Sequence, residues 1–163
     1  MKGTSPNMET YLNPNPSEEQ LTSLLEYLLK EYEDNGKKEG FYCNRNIIKK
    51  SFDKGYFITL DNKDKLPIAF AVYTPLADDD SLTQGIELDI INVHQNMRNK
   101  GIAKHFLKEL ENHFKNKQCP KFTGTCISDE TVKIFTKMGF ENIEDPNFGE
   151  DAKFRVIKNL RKD

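Results

Sequence analysis

Ile86-Glu-Leu-Asp-Ile-Ile-Asn-Val93 runs into His94-Gln-Asn-Met-Arg-Asn-Lys-Gly101 and then into Ile102-Ala-Lys-His-Phe-Leu-Lys-Glu-Leu-Glu-Asn-His-Phe114. In the first segment Ile86, Leu88 and Ile90 alternate with Glu87 and Asp89, the period-two pattern of a strand with one buried face. In the third, Ile102, Ala103, Phe106, Leu107, Leu110 and Phe114 recur at spacings of three and four, which is one stripe of a helix. A polar, basic turn from Gln95 to Gly101 joins them.

A strand that turns into a helix leaves the first helical N–H groups without intrahelical acceptors, at the positive end of the helix dipole. That is a natural seat for a phosphate or pyrophosphate. Gly101 lets a ligand approach the backbone, and Arg98, Lys100 and Lys104 bring positive charge to the same point. One glycine in a basic turn is a weak motif. On residue chemistry alone, phosphate binding and an ordinary solvated turn stay equally open.

The 163 residues suffice for one domain with a full core. Hydrophobic residues make up 36% and charged ones 31%, but the apolar positions are periodic, so the chain reads as folded rather than disordered. The 24 basic and 26 acidic residues are interspersed and give a net charge of -2, which argues against a nucleic-acid partner. Cys43, Cys119 and Cys126 have no metal-ligand spacing, so no metal is expected. No apolar run reaches the roughly 20 residues of a membrane span, and the N-terminus lacks the apolar core of a signal peptide. No membrane partner is therefore expected, and the location reads as cytoplasmic.

In chain order, residues 1–16 carry Gly, Asn and Pro without periodicity and read as an arm or extended wrap, with residues 17–163 as the single domain. Ser17 and Gln20 form a capping-box pair ahead of the stripe Leu21, Leu24, Leu25, Leu28 and Leu29. A second helix runs from about Asn44 to Asp53 and stops at Gly55. Tyr56–Leu60, a turn over Asp61–Lys65 and Ile68–Tyr73 read as a hairpin. Beyond the central helix come a strand over Lys121–Ile127, a helix over Ser128–Met138, and strands over Phe140–Ile143 and Phe154–Ile157 joined by the acidic loop Glu144–Ala152.

The run Arg98-Asn99-Lys100-Gly101-Ile102-Ala103 resembles the acetyl-CoA-binding motif of the GNAT family of N-acetyltransferases, Gln or Arg, two residues, Gly, one residue, Gly or Ala. The downstream segment from Ser128 to Phe140 is similar to that family's last core helix, which ends in an aromatic, three residues and Gly-Phe. The resemblance covers about Ile58 to Ile157. It implies an α/β (α+β) fold: a mixed, mainly antiparallel central sheet of six to seven strands flanked by helices on both faces. It also implies acetyl-CoA as co-substrate and transfer of acetyl to a primary amine by direct attack in a ternary complex. The acceptor, a small molecule or a protein amine, is left open, and a homodimer is carried as an option.

The resemblance assigns roles residue by residue. Backbone groups around Ile91, Asn92 and Val93 would pair with pantetheine, and Arg98, Asn99, Lys100, Gly101, Ile102, Ala103 and Lys104 would hold the pyrophosphate. Glu87, six residues before Val93, would be the base, with Asp89 on the same face as runner-up; two neighbouring carboxylates raise one pKa. The bland alternative for both is a solvent-facing carboxylate or a pair with a neighbouring strand's lysine. Ser128 stands where the family has a helix-start asparagine, and Gln95 where it often has proline. Phe41, Tyr42 and Arg45 read as acceptor contacts or, more blandly, as an ordinary helix flank, and Asp78-Asp79-Asp80 would steer a cationic amine or merely face water. His94 reads as a proton relay or, more blandly, a solvated residue, and Cys126 as a buried thiol.

One position departs from the pattern. The family's tyrosine acid, four residues before Gly139, is Phe135 here. Either Tyr73 or Tyr56 replaces it, or water protonates the leaving thiolate, or the protein is a non-catalytic acyl-CoA-binding module. A third reading is an enzyme of another class using the same turn for a different phosphate ligand.

Overall fold

The computed structural model describes residues 9–38, 40–126, 129–143 and 154–161. Among the described residues are seven strands and four helices: β1 (Thr10–Asn13), α1 (Glu18–Asp34), α2 (Arg45–Lys54), β2 (Phe57–Asn62), β3 (Pro67–Pro75), β4 (Ile86–Val93), α3 (Ile102–Asn116), β5 (Lys121–Cys126), α4 (Asp129–Lys137), β6 (Glu141–Ile143) and β7 (Phe154–Asn159). Short 3-10 turns fill Phe41–Asn44 and Gln95–Met97. The sheet order is β1-β2-β3-β4-β5-β7-β6. Pairing is antiparallel for β1/β2, β2/β3, β5/β7 and β6/β7, and parallel for β4/β5. A parallel neighbour needs a long crossover, and α3 provides it. This is the expected mixed, mainly antiparallel sheet, with β1 as its seventh strand. Ser128, the loop Glu144–Ala152, residues 1–8 and the side chain of Cys126 lie outside the described residues.

The chain forms two compact units. The first comprises Met1–Val72 and Ile90–Phe106, the second Tyr73–Asp89 and Leu107–Asp163.

In the first unit α1 starts as its sequence requires. The Ser17 hydroxyl accepts from the Gln20 amide (3.2 Å) and the Gln20 side chain accepts from the Ser17 amide (2.8 Å). One turn on, the leucine stripe goes under: Leu24 and Leu28 are fully buried with Ile48, Phe57, Phe70 and Val72. Leu21, Leu25, Phe52 and Ile90 pack around that cluster. Each such aliphatic burial is worth about 1.5–3 kcal/mol, which is what holds α1 in place. The stripe then ends on a charge, since Glu31 is only 7% exposed.

One expectation gains detail here and one changes. Thr10–Asn13, inside the N-terminal arm, is a strand that pairs residue for residue with Asn62–Thr59. Asp61 is not a turn residue but a buried member of β2. Its carboxylate accepts from Thr59 Oγ1 (2.8 Å), Asn13 Nδ2 (2.9 Å) and Gln20 Nε2 (2.8 Å). Two of those donors come from β1 and α1, 48 and 41 residues away, so a local reading could not have found them. The turn proper is one residue later, where Asn62 Oδ1 accepts from the Asp64 and Leu66 amides and Lys65 takes a left-handed φ of 65°.

The second unit is built on aromatic edges. Tyr73 packs on Phe114 (4.9 Å between centroids), Phe114 on Phe122 (5.7 Å), Phe122 on Phe140 (5.3 Å) and Phe140 on Phe135 (5.0 Å), all near-perpendicular. Edge-to-face contacts of this kind add about 0.5–1.5 kcal/mol each beyond area burial. Gly85 lets β4 start beside β5: its φ is 109°, and a Cβ there would lie 2.6 Å from the Lys121 carbonyl oxygen. Lys158 ties β7 to two helices, donating to Glu111 on α3 (2.9 Å) and to the Met138 carbonyl just past α4 (2.8 Å).

Candidate active site

β4 carries the expected functional residues. Ile86 and Leu88 are buried, while Glu87 is intermediate and Asp89 exposed, as alternation requires. Ile90 and Ile91 are then both intermediate, and Asn92 is buried. Ile90 packs on the α1/α2 cluster, and Asn92 accepts from the Tyr27 hydroxyl of α1 at 3.3 Å. The period of two therefore continues to Asn92, but the buried face takes a polar residue there and is only half-buried at Ile90.

Downstream of β4, the turn is held by its own backbone and by α1. The His94 amide donates to Ile68 (2.8 Å) and the Met97 amide to His94 (2.8 Å). The His94 ring accepts from the Asn96 amide through Nδ1 (3.1 Å) and lies 4.3 Å from the Tyr27 ring. Desolvation, the largest influence, holds His94 below the usual histidine range; the carboxylate of Glu31 opposes this and Arg98 adds to it. The same burial pushes the Tyr27 hydroxyl far above its ordinary value. His94 thus caps the short turn through Nδ1.

Arg98 is not a mobile charge on the rim. Its Nε donates to the Val93 carbonyl (2.9 Å) and a terminal nitrogen to Glu31 Oε1 (2.8 Å). That bond occupies a carbonyl among the backbone groups expected to meet pantetheine. The chain then passes through two left-handed residues, Asn99 (φ 65°) and Gly101 (φ 76°). Asparagine and glycine tolerate that region better than other residues. The first helical bond of α3 runs from the His105 amide to the Gly101 carbonyl (3.1 Å). The amides of Ile102, Ala103 and Lys104 precede it and have no intrahelical carbonyl to meet. Lys100 and Lys104 are exposed beside them. The donor set and the cationic surround fit a pyrophosphate.

The carboxylates lie in the second unit and are held differently. Glu87 accepts from Thr123 (3.1 Å) and Thr125 (3.1 Å) of β5 and from Arg155 of β7 (3.2 Å). Its partner is thus an arginine two strands away rather than a neighbouring lysine. Asp89 accepts from the Thr74 hydroxyl at 2.5 Å. Partial desolvation of an otherwise exposed carboxyl, the largest influence, raises Asp89; the Thr74 bond lowers it and the Glu87 charge raises it again. Tyr73 stacks on Phe114, and Phe135 is 4% exposed with its ring against Phe140.

Sequence reading missed Glu31, Tyr27, Thr74 and Arg155. Glu31 alone left a signal: it falls three residues after Leu28 on the apolar stripe of α1, where a carboxylate needs a partner.

The first unit thus carries a basic strand-to-helix turn, and the second a pair of carboxylates two residues apart. The chain belongs to the acetyltransferase (GNAT) family, whose model matches residues 21–140 and so takes in both motifs. No curated protein matches the chain by sequence. Among solved structures, a GNAT-family acetyltransferase from Listeria monocytogenes 4b F2365 is 14% identical, with a TM-score of 0.73 over 98% of this chain and 99% of that one. One from Bacillus cereus ATCC 10987 is 19% identical, with a TM-score of 0.68 over 94% and 99%. N-acetylglutamate synthase from Neisseria gonorrhoeae, solved with coenzyme A and N-acetyl-glutamate, is 12% identical, with a TM-score of 0.67 over 94% of this chain and 36% of that one. At these identities the likeness is one of fold.

Proposed function

We propose that this protein is an acetyl-CoA-dependent N-acetyltransferase acting on a primary amine. The observation that carries the reading is the turn from Arg98 to Gly101, with left-handed Asn99 and Gly101 leading into the unpaired first amides of α3. Asn99 to Lys104 would hold the pyrophosphate through backbone N–H groups, with Lys100 and Lys104 adding charge. Each bond to a charged group is worth about 1.5–3 kcal/mol net, so a few of them suffice for micromolar binding.

The amine nitrogen attacks the thioester carbonyl, the C–S bond breaks, and the amine's proton must go to a base. Of the two carboxylates, Asp89 suits that task better. It is exposed, has one hydroxyl donor, and its pKa is raised. Glu87 is already engaged by two threonines and an arginine, which leaves its oxygens less free to take a proton from the amine. In this reading Glu87 contributes charge that raises Asp89. Phe135 offers no hydroxyl, and thiols ionise near pH 8.5, so water suffices to protonate the departing thiolate.

A second reading, a non-catalytic acyl-CoA-binding module, draws on the buried Phe135 ring and the fully engaged Glu87. Titrating acetyl-CoA, CoA, ATP and NAD calorimetrically tests the site: the first two should bind at micromolar level and the last two should not. Thiol release across a panel of amines then separates enzyme from module, since a module releases none. Equal binding of ATP or NAD would overturn the assignment to coenzyme A.

A further inference from the structure

We infer that Glu31 of α1 is a positioning residue for the coenzyme turn, acting through Arg98, and that Arg98 serves as a fork-shaped clamp rather than as a phosphate ligand. The inference rests on the coenzyme A reading above. Arg98 spends one edge on the backbone of β4, at the Val93 carbonyl (2.9 Å), and another on Glu31 Oε1 (2.8 Å). Glu31 has 9% of its side chain exposed, against 43% for Arg98, so the acid is the fixed half of the pair. It is anchored on the turn of α1 that follows the fully buried Leu24 and Leu28.

The clamp therefore links a rigid helix to the last residue of β4 across the five residues that form the turn's first half. A second, weaker tie runs beside it from Gln95 to Asp34 (3.4 Å). What the clamp steadies is the stretch that must present Asn99 and Gly101 in left-handed conformations. Such residues persist only where their surroundings over-determine them. A guanidinium can serve a carbonyl and a carboxylate at once because its donors sit in a fixed fork; an ammonium cannot match that geometry.

Two roles for Arg98 predict opposite results when Glu31 is removed. If Arg98 were a phosphate ligand, losing its competing carboxylate would leave acetyl-CoA affinity unchanged or higher. If it is a clamp, affinity falls. The experiment is calorimetric titration of acetyl-CoA into wild type, Glu31→Ala, Glu31→Gln and Arg98→Lys, with melting curves for each. KM and kcat are then measured on any amine that supports turnover.

Glu31→Ala should weaken acetyl-CoA binding about tenfold or more and raise its KM by a similar factor. The KM of the amine should move less than twofold. Glu31→Gln, whose amide oxygen still accepts from the guanidinium, should recover part of the loss. Arg98→Lys keeps the charge and should still bind several-fold more weakly. Hydrogen exchange of residues 94–101 in free protein should be faster in Glu31→Ala, a readout that needs no ligand.

Wild-type binding with undiminished affinity in Glu31→Ala overturns this inference alone. A uniform loss of melting temperature, with both KM values moved equally, also overturns it, because Glu31 would then be only structural. Failure of wild type to bind acetyl-CoA overturns the coenzyme reading and this inference together.

Discussion

Glu87 and Asp89 are two residues apart on one strand, and their surroundings push them toward different tasks. Asp89→Asn should lower turnover by about 10²–10⁴-fold, the usual worth of a general base, and abolish the acid limb of the pH–rate profile. Glu87→Gln should cost less and shift that limb to lower pH, since the charge that raises Asp89 is gone. An unchanged limb in Asp89→Asn would remove Asp89 as base. The same shift has a consequence for stability. Because the folded-state pKa of Asp89 is raised, its favourable contribution is full below the unfolded-state value and is lost as pH rises through the folded one. At neutral pH the ionised group is a net cost, so Asp89→Asn should melt higher than wild type at pH 8, with the gap closing toward pH 4. Gly85 makes a simpler case. With φ at 109° and backbone oxygen 2.6 Å from any Cβ, Gly85→Ala should destabilise by about 1–3 kcal/mol in denaturant titration.

At the scale of elements, the sequence was most legible where a pattern is self-contained. The capping box of α1 needs only Ser17 and Gln20, and it is there; Ser17→Ala should cost about 1 kcal/mol by chemical denaturation. The turn before α3 was likewise readable as a strand-to-helix junction. Its left-handed glycine makes Gly101→Val a decisive change, which should abolish acetyl-CoA binding in calorimetry while the strained side chain also costs stability. Less legible were the interruptions. On β4 the buried face ends in a polar residue, Asn92, because Tyr27 of α1 supplies its donor, a surface absent from the local pattern. Asp61 reads as a turn residue by type and is buried in β2 because Asn13 and Gln20 supply its donors.

For the whole molecule, ligand binding and folding are linked: whatever binds only the folded chain raises its stability. Acetyl-CoA at a hundred times its dissociation constant should add about 2.7 kcal/mol, read as a rise in melting temperature that NAD at equal concentration does not give. No such rise would count against the proposed function. At this scale no helix among the described residues is long and apolar enough to cross a membrane. The sequence by itself determined most strands and helices, the capping box and the basic βα turn, while the mixed sheet was implied by its resemblance to the GNAT family. It could do so because periodicity, caps and turn residues act over a few positions and leave their mark in order along the chain. Only the tertiary structure decided which carboxylate is tied up, that Arg98 is clamped by a buried Glu31, and that the arm contributes an edge strand. Those outcomes depend on hydrogen-bond partners from 48 to 68 residues away, such as Asn13 for Asp61 and Arg155 for Glu87. A side chain's charge state and orientation follow from the partners it meets, and those partners are fixed only once the strands and helices have packed.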